Sequence, residues 1–569
     1  CPLNGKGGVD DIEINPQDAT ILGLIEESKT GINKEIASLY GIPGGSCPRL
    51  VYDIQDHQSV EILFARPAID HSDGSDRSER AAHYKNIKIT SVGRHDTMPN
   101  NTVVVTGALH PSPRDQRNEF LAWDIERQAT SVDHFEMTPE AMKMMQMFQT
   151  RKGQRPLKKL GEIDRELAQH VTRIVGRTEM HMLMDLTYHS ALSFKFGGQL
   201  ENRGWLESLV VGDTRTGKSE AAERLVRHFG AGEIVGGEAA TLAGLVGGMQ
   251  QIGGKDWTVT WGVIPLNDRR IVVIDELSGL HPEEISKMSD VRASGVARLT
   301  KILQEVTYAR TRLLWLGNPR DGGMDQYTYG VDAIRPLIGN PEDIARFDLA
   351  MALNKSDIDA EEYNKPIEAK RLHYTSEACH TLLMWVWTRQ PEQITWTSGA
   401  EDHVYKVALE MGKNYVEDPP LLQAANARIK IARVAVALAA RTFSTDAKGE
   451  RIVVSKYHVD DAVTFMNAIY GMEAFGYAER SQERLDDLAE ARTRVDEVRK
   501  YLHNNRGLAK FMRSNASFRR QDIEEILNKD RDSANAVINK LWTTRMIRKE
   551  GADLKVEPSL HGLLREVRW

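Results

Sequence analysis

Residues 212–219 read Gly-Asp-Thr-Arg-Thr-Gly-Lys-Ser and follow the apolar run Leu209-Val210-Val211. This Gly-x4-Gly-Lys-Ser spacing constrains the fold more than any other feature. It demands a strand ahead, a tight glycine-dependent turn, and a helix behind. Gly212 and Gly217 permit a backbone path that aims amide N–H groups at phosphate oxygens across Asp213, Thr214, Arg215 and Thr216. Lys218 is expected to reach the β- and γ-phosphates, and the Ser219 hydroxyl to sit on Mg²⁺. The helix expected over Glu220–Phe229 adds the positive end of its dipole at the same place. The cofactor pair implied is ATP with Mg²⁺.

A chain of 569 residues is long enough for about three or four domains at ~150 residues each. No apolar run approaches the ~20 residues that span a bilayer, and no signal peptide opens the chain, so no membrane partner is expected. The first residue is Cys, so the native start is expected to lie upstream. Three cysteines do not make a disulfide framework and suit a reducing, cytoplasmic setting. Net charge is −7, yet residues 491–569 carry 18 Lys and Arg against 11 Asp and Glu, a net +7 that leaves −14 on the rest. A basic end on an acidic body fits either nucleic-acid contact or a solvated basic surface.

The patterning divides the chain. Residues 1–135 contain short alternating strands (49–53, 60–64, 87–90, 102–106 and 120–124) that suit a small barrel or sandwich, with a turn-rich loop over 67–83. Residues 136–200 read as a helical linker, 201–365 as an α/β core, 366–478 as a helical lid, and 479–569 as a final unit. That unit reads as helices over 495–502, 520–527 and 532–546 and a β-wing over 547–556. Asp532-Ser533 is expected to cap its third helix.

A second apolar strand, Arg270-Ile271-Val272-Val273-Ile274-Asp275-Glu276, ends in two acids. In that position Asp275 would hold Mg²⁺ through water, and Glu276 would polarise the attacking water as general base. A third strand, Arg312-Leu313-Leu314-Trp315-Leu316-Gly317, ends at Asn318-Pro319. In additional-strand ATPases (AAA+) that place belongs to sensor 1, the polar residue that orients the water. Arg346, in Ile344-Ala345-Arg346-Phe347-Asp348, stands where such enzymes keep an arginine finger that enters a neighbour's site; a local pair with Asp348 is the alternative.

Together these segments resemble the minichromosome maintenance (MCM) family of replicative helicases. The likeness rests on Gly212-Asp213 to Lys218-Ser219, Phe196-Gly197-Gly198, Arg203-Gly204, Ala239 to Leu245, Trp257 to Gly262, Ala309-Arg310-Thr311 before Asn318-Pro319, and Ala345-Arg346-Phe347-Asp348-Leu349. It covers about 165–470, with a weaker likeness of 99–107 to the family's oligonucleotide-binding (OB) barrel. Departures mark a divergent member, of viral or mobile-element type. The family's Pro-Gly in the loop is Thr214-Arg215, and its second acidic motif continues here as Leu277-Ser278-Gly279-Leu280. Cys1-Pro2 and Cys47-Pro48 resemble remnants of its zinc knuckle. Two cysteines do not fill a tetrahedral site, so Zn²⁺ is implied there only with further ligands.

The resemblance implies a multidomain α/β chain with an N-terminal OB-like β-barrel, an AAA+ core with α-helical lid, and a C-terminal winged helix. It implies two inserts facing a channel, near Met249–Val259 and Ala293–Leu303, with Arg298 and Lys301 as DNA-backbone contacts. Arg428, with Arg433 as second choice, would be the γ-phosphate contact from the lid. The function implied is an ATP-dependent, ring-forming DNA helicase, a hexamer acting on single-stranded and forked DNA alongside replication proteins in a prokaryotic host. A protein-remodelling ATPase and an ATP-switched initiator are the alternatives. The third helix of the final unit presents a polar, hardly basic face (Asn535, Asn539, Lys540, Thr543), which leaves DNA binding and a packing or regulatory role both open.

Overall fold

The computed structural model describes residues 60–65, 87–93, 95, 97, 101–111, 118–128, 132–252, 256–300, 304–357 and 372–566. They form two units. The first holds everything to Met411 together with Pro419–Phe475, and the second holds Gly412–Asp418 with the chain from Gly476.

The first unit opens with a four-stranded sheet of β1 (Val60–Ala65), β2 (Ile87–Val92), β3 (Val103–Pro111) and β4 (Asn118–Arg127), in the order β1-β2-β4-β3. β2 and β4 run parallel, and the outer pairs are antiparallel. One face packs Leu63, Ile89, Val105, Phe120 and Ile125 together. The β3–β4 register slips at Thr106/Gly107. A Cβ on Gly107 would lie 2.5 Å from the Phe120 ring, so this irregular step admits only glycine.

Helices α1 (Pro156–Leu167) and α2 (Thr178–Tyr188) and the hairpin β5 (Phe194–Phe196)/β6 (Gln199–Glu201) lead into the α/β core. Its sheet contains β7 (Glu207–Gly212), β8 (Glu233–Gly236), β11 (Ile271–Asp275), β14 (Arg312–Gly317) and β15 (Leu349–Leu353), all parallel, in the order β15-β7-β14-β11-β8. Runs such as Leu209-Val210-Val211 and Ile271-Val272-Val273-Ile274 are fully buried, as a sheet covered on both faces requires. β14 lies between β7 and β11, which is the inserted strand that the Asn318 segment led us to expect. Helix α3 (Lys218–Phe229) follows β7. The antiparallel hairpins β9 (Gly247–Ile252)/β10 (Asp256–Trp261) and β12 (Val296–Thr300)/β13 (Gln304–Tyr308) form sheets of their own. They stand where the two channel inserts were expected.

Among the further helices of this unit are α4 (Ser376–Trp387), α5 (Ala427–Arg441) and α6 (Lys456–Tyr470), with a short parallel pair β16 (Ile394–Trp396)/β17 (Ile452–Val454). α5, rich in alanine, is buried almost throughout. Asp461 on α6 caps the start of α1, accepting from Leu157 N at 2.9 Å and from Arg155 Nε at 2.9 Å. Arg441 on α5 donates to Asp185 on α2 at 2.5 Å, with both side chains fully buried. The lid is thereby tied to the helices that precede the phosphate-binding loop.

The second unit contains α7 (Tyr477–Asn504), α8 (Arg506–Ser514), α9 (Arg520–Leu527), α10 (Arg531–Thr543) and α11 (Pro558–Glu566). A sheet of β18 (Ser517–Phe518), β19 (Ile547–Glu550) and β20 (Asp553–Val556) completes it, in the order β18-β20-β19. Its core gathers Leu502, Leu508, Met512, Phe518, Ile523, Leu541 and Leu560. The charged run over 478–500 belongs to the 28-residue helix α7. The cap of α10 is Asp530, which accepts from Ser533 N at 3.3 Å, and not the expected Asp532. Asp532 lies in the first turn, where its charge still suits the helix dipole. Among the described residues no helix is long and apolar enough to cross a membrane.

Candidate nucleotide site

Strand β7 delivers the loop to the edge of β15. A Cβ on Gly212 would lie 2.7 Å from Leu353 O, so only glycine lets the two backbones approach this closely. Gly217 adopts φ +87° at the start of α3, and a Cβ there would lie 2.7 Å from the Ile174 side chain. Ile174 thus abuts the loop, a neighbour that the motif itself does not mark. Arg215 has φ +64°, which costs a non-glycine residue about 1–2 kcal/mol. Thr214, Arg215 and Ser219 are exposed, whereas Asp213 and Thr216 are buried. Asp213 turns inward: its carboxylate accepts from Met324 N at 2.9 Å, which anchors the loop to the segment after β14.

Lys218 is buried. Its Nζ lies 2.8 Å from Gly212 O and Asp213 O, and 3.1 Å from Thr216 Oγ1 and Asn318 Oδ1. Burial lowers its pKa to about 8, with Asp275 and Asp213 opposing the shift. The expected sensor Asn318 therefore meets the expected phosphate-binding lysine directly. The inserted strand β14 makes this possible, because it sets its C-terminal end beside that of β7. Arg320, just beyond, donates to Ser278 O at 2.8 Å and to Leu280 O, fastening the Asn318 loop to the turn after β11.

β11 ends in Asp275, half-buried, and Glu276, exposed at φ +53°. Asp275 Oδ1 accepts from Glu276 N at 2.9 Å. Burial, Glu238 and Asp275, in that order, raise the Glu276 carboxyl above the usual range, the direction that improves a general base. Glu238 arrives because a Cβ on Gly237 would lie 2.5 Å from Glu276 O, so the two turns touch through glycine. These residues fit ATP with Mg²⁺. Mg²⁺ takes hard oxygen ligands and keeps most positions for water and phosphate, so the Ser219 hydroxyl and the Asp275 carboxylate suffice from the protein. Among the described residues no group of three or more His, Cys, Asp or Glu side chains suits a metal ion, and Cys1 and Cys47 lie outside them, so zinc is carried no further.

Arg346 lies elsewhere. In the β7–β15 register Leu353 pairs with Gly212 and Leu349 with Ser208. Arg346 precedes Leu349, so it sits at the far end of the sheet, roughly 16 Å or more from its own loop at ~3.3 Å per residue. Its Nε donates to Ser289 Oγ at 3.1 Å and pairs with Asp343 at 3.5 Å, not with Asp348. Asp348 is fully buried and is taken by Arg433 at 2.7 Å and Arg203 at 3.2 Å. Arg433, which also binds Glu201 at 2.9 Å, is therefore a buried structural cation and not available to a phosphate. Arg428 is exposed, with its guanidinium on Ala425 O at 3.0 Å. Arg298 lies exposed on β12, paired with Asp290 at 2.5 Å, and Lys301 lies outside the described residues.

The Asp348 network gives a stability prediction. Burial alone would raise its carboxyl, but Arg203, Arg433 and Lys430 outweigh this and hold it below the usual carboxylate range. Asp348→Asn leaves two buried guanidiniums undercompensated and is expected to cost about 3–5 kcal/mol in urea unfolding, followed by the fluorescence of Trp205 and Trp315. A depressed folded-state pKa stabilises above the unfolded value of about 3.9 and is lost as pH falls through the folded value. The difference between wild type and Asp348→Asn should accordingly persist at neutral pH and shrink only in strong acid. A wild-type unfolding midpoint in the variant at pH 7 would refute this account.

Residues 154–368 match the family model for the MCM P-loop domain. The DNA replication licensing factors mcm2 of Xenopus tropicalis and Xenopus laevis are each 22% identical over 324 residues, covering 54% of this chain. The match spans 35% of the length of those relatives, about a third. The matched P-loop domain contains Gly212 to Ser219, Asp275, Glu276 and Asn318, the residues of the nucleotide site described above. Residues 154–368 are thus a P-loop domain of MCM type, divergent in sequence.

Proposed function

We propose that this chain is an ATP-driven ring motor, a homohexamer that moves along single-stranded DNA and separates duplex for replication in a prokaryotic cell, including one that carries a virus or mobile element. One observation carries the reading: Lys218 and Asn318 meet at the C-terminal end of the sheet while Arg346 stands at the opposite end. Such an arginine has no route to its own nucleotide, but it suits the site of an adjacent subunit. Lys218 and Ser219 would hold phosphate and metal, Asp275 would help to hold the metal, which supplies charge neutralisation on the phosphates, Glu276 would take the proton from the attacking water, and Asn318 would orient that water. Arg346 adds positive charge from the neighbour where negative charge develops.

DNA contact is supported by topology. The order β1-β2-β4-β3 with a parallel β2–β4 pair suits four strands of a five-stranded OB barrel, whose other strand, expected over 49–53, lies outside the described residues. In the second unit, α8, α9 and α10 followed by the β19–β20 hairpin fit a winged helix. Trp542 is exposed on α10, and Lys540 is paired with Glu497 at 3.0 Å.

Hairpin β12–β13 presents Arg298 outward in a pair with Asp290, and an exposed pair of this kind contributes little, so a DNA phosphate can replace the carboxylate. Arg298→Ala is expected to weaken single-strand binding and to flatten the salt dependence by about 0.7 in slope, one phosphate contact fewer. Fluorescence anisotropy across a salt series reads both, and an unchanged slope would remove Arg298 from the DNA path. For the function as a whole the test is displacement of a strand from forked DNA, together with stimulation of ATP hydrolysis by single strands. ATP hydrolysis indifferent to DNA would favour the protein-remodelling alternative.

A further inference from the structure

The segment that carries Arg346 is gripped from the lid. Lys430 Nζ, on α5, donates to Ala345 O at 2.8 Å, Phe347 O at 2.5 Å and Leu421 O at 2.6 Å. Between the first two, Arg346 O accepts from Arg203 at 3.1 Å. Three successive carbonyls around the arginine are thus each fixed by a cation, the outer two by buried Lys430 and the middle one by half-buried Arg203. The short helix Pro341–Ala345 ends at Arg346, so its last carbonyls lack intrahelical partners and depend on these donors. Lys430 is 3% exposed and touches nothing in the nucleotide site. Three acceptors need three hydrogens, which only the ammonium form supplies. Burial draws its pKa down to about 7, with Asp348 opposing.

We propose that Lys430 is a positioning residue for Arg346, clamping the backbone on both sides of it so that the guanidinium is presented at a fixed angle to the adjacent subunit. The inference rests on the reading of Arg346 as a finger acting between subunits. It also gives the lid a direct mechanical hold on the finger: a movement of α5 would be transmitted to the neighbour's site through two carbonyls. Arg203 braces the same stretch from the β7 side and ties it to Asp348 and Glu207.

The test is steady-state ATP hydrolysis by the full chain and by mixtures of variants. Lys430→Met keeps an unbranched stem one atom shorter and removes every hydrogen bond. Displacement of a catalytic group by about 1 Å costs up to ~10²-fold, so kcat should fall roughly 10- to 100-fold with KM for ATP within about twofold. Lys430→Gln, which still donates two hydrogens, should fall between Lys430→Met and wild type. Nucleotide binding by both variants should match wild type, because their own loops are intact.

Mixing separates a displaced finger from general damage. Lys218→Ala subunits lack a working loop but keep the finger, so adding them should restore hydrolysis to Lys430→Met, as it should to Arg346→Ala. Adding Arg346→Ala subunits to Lys430→Met should restore nothing, since neither supplies a finger. If Lys218→Ala fails to rescue Arg346→Ala, the inter-subunit reading itself falls. If it rescues Arg346→Ala but not Lys430→Met, or if Lys430→Met keeps wild-type kcat, the positioning role alone is overturned.

Discussion

Glu276→Gln should slow ATP hydrolysis by about 10²- to 10⁴-fold, the range that a positioned general base contributes, while nucleotide affinity stays within about twofold. The substitution is nearly isosteric and leaves Asp275 and the loop untouched, so phosphate and metal binding have no reason to change. The proton acceptor is what is lost. The carboxylate suits that task through its surroundings: burial, Glu238 and Asp275 all raise its pKa, and a base of higher pKa takes a proton from water more readily. Its backbone is left-handed, φ +53°, where the turn after β11 passes close to Gly237. The measurement is single-turnover hydrolysis beside equilibrium binding of an ATP analogue. A motor should also stop displacing a strand from forked DNA. A Glu276→Gln protein that retained strand displacement would point to the ATP-switched alternative, and one that hydrolysed at the wild-type rate would remove Glu276 from the chemistry.

The parts of this site that could be read from sequence are those where one residue type serves one chemical need at fixed spacing. Gly212, Gly217, Lys218, Asp275, Glu276 and Asn318 were all legible because strand, turn and acid follow one another along the chain. The buried parallel strands were legible for the same reason, as uninterrupted apolar runs. What could not be read depends on partners distant in sequence. Arg433 looked available to a phosphate, yet Glu201 and Asp348, hundreds and tens of residues away, enclose it. Asp213 belongs to the loop motif, but a backbone N–H at Met324 claims its carboxylate. Lys430 does carry a sequence signal: it shares the i, i+4, i+7 spacing of Val434 and Ala437, which places its stem in the core. The Asp530 cap lies two residues before the expected Asp532, within the precision to which helix ends can be read, whereas helix α8, which buries Leu508, Ala509 and Met512, was not expected at all.

Arg346→Ala should lower kcat by roughly 10³-fold or more, the scale on which an arginine supplied by a neighbour acts in phosphoryl transfer, with nucleotide binding unchanged. The expectation comes from placement. Arg346 is fixed at the end of the sheet remote from its own loop, at the terminus of Pro341–Ala345, with one nitrogen on Ser289 and Asp343. That hydrogen bond engages Nε, and neither described contact of Arg346 uses the terminal nitrogens, the fork that a phosphate of an adjacent subunit would need. Arg346→Lys should recover little of the loss, because a point charge on a flexible stem reproduces neither the reach nor the forked geometry. Two further readings distinguish a finger from a local structural pair. Specific activity of the wild type should rise with protein concentration as interfaces form, whereas Arg346→Ala should stay low at every concentration. Thermal stability of the variant should stay close to wild type, because a side chain one-quarter exposed, held by a pair at 3.5 Å, contributes little to folding. An Arg346→Ala protein that hydrolysed ATP at full rate, or a wild type whose activity per molecule did not depend on concentration across the range where it assembles, would leave each subunit working alone and would end the ring reading.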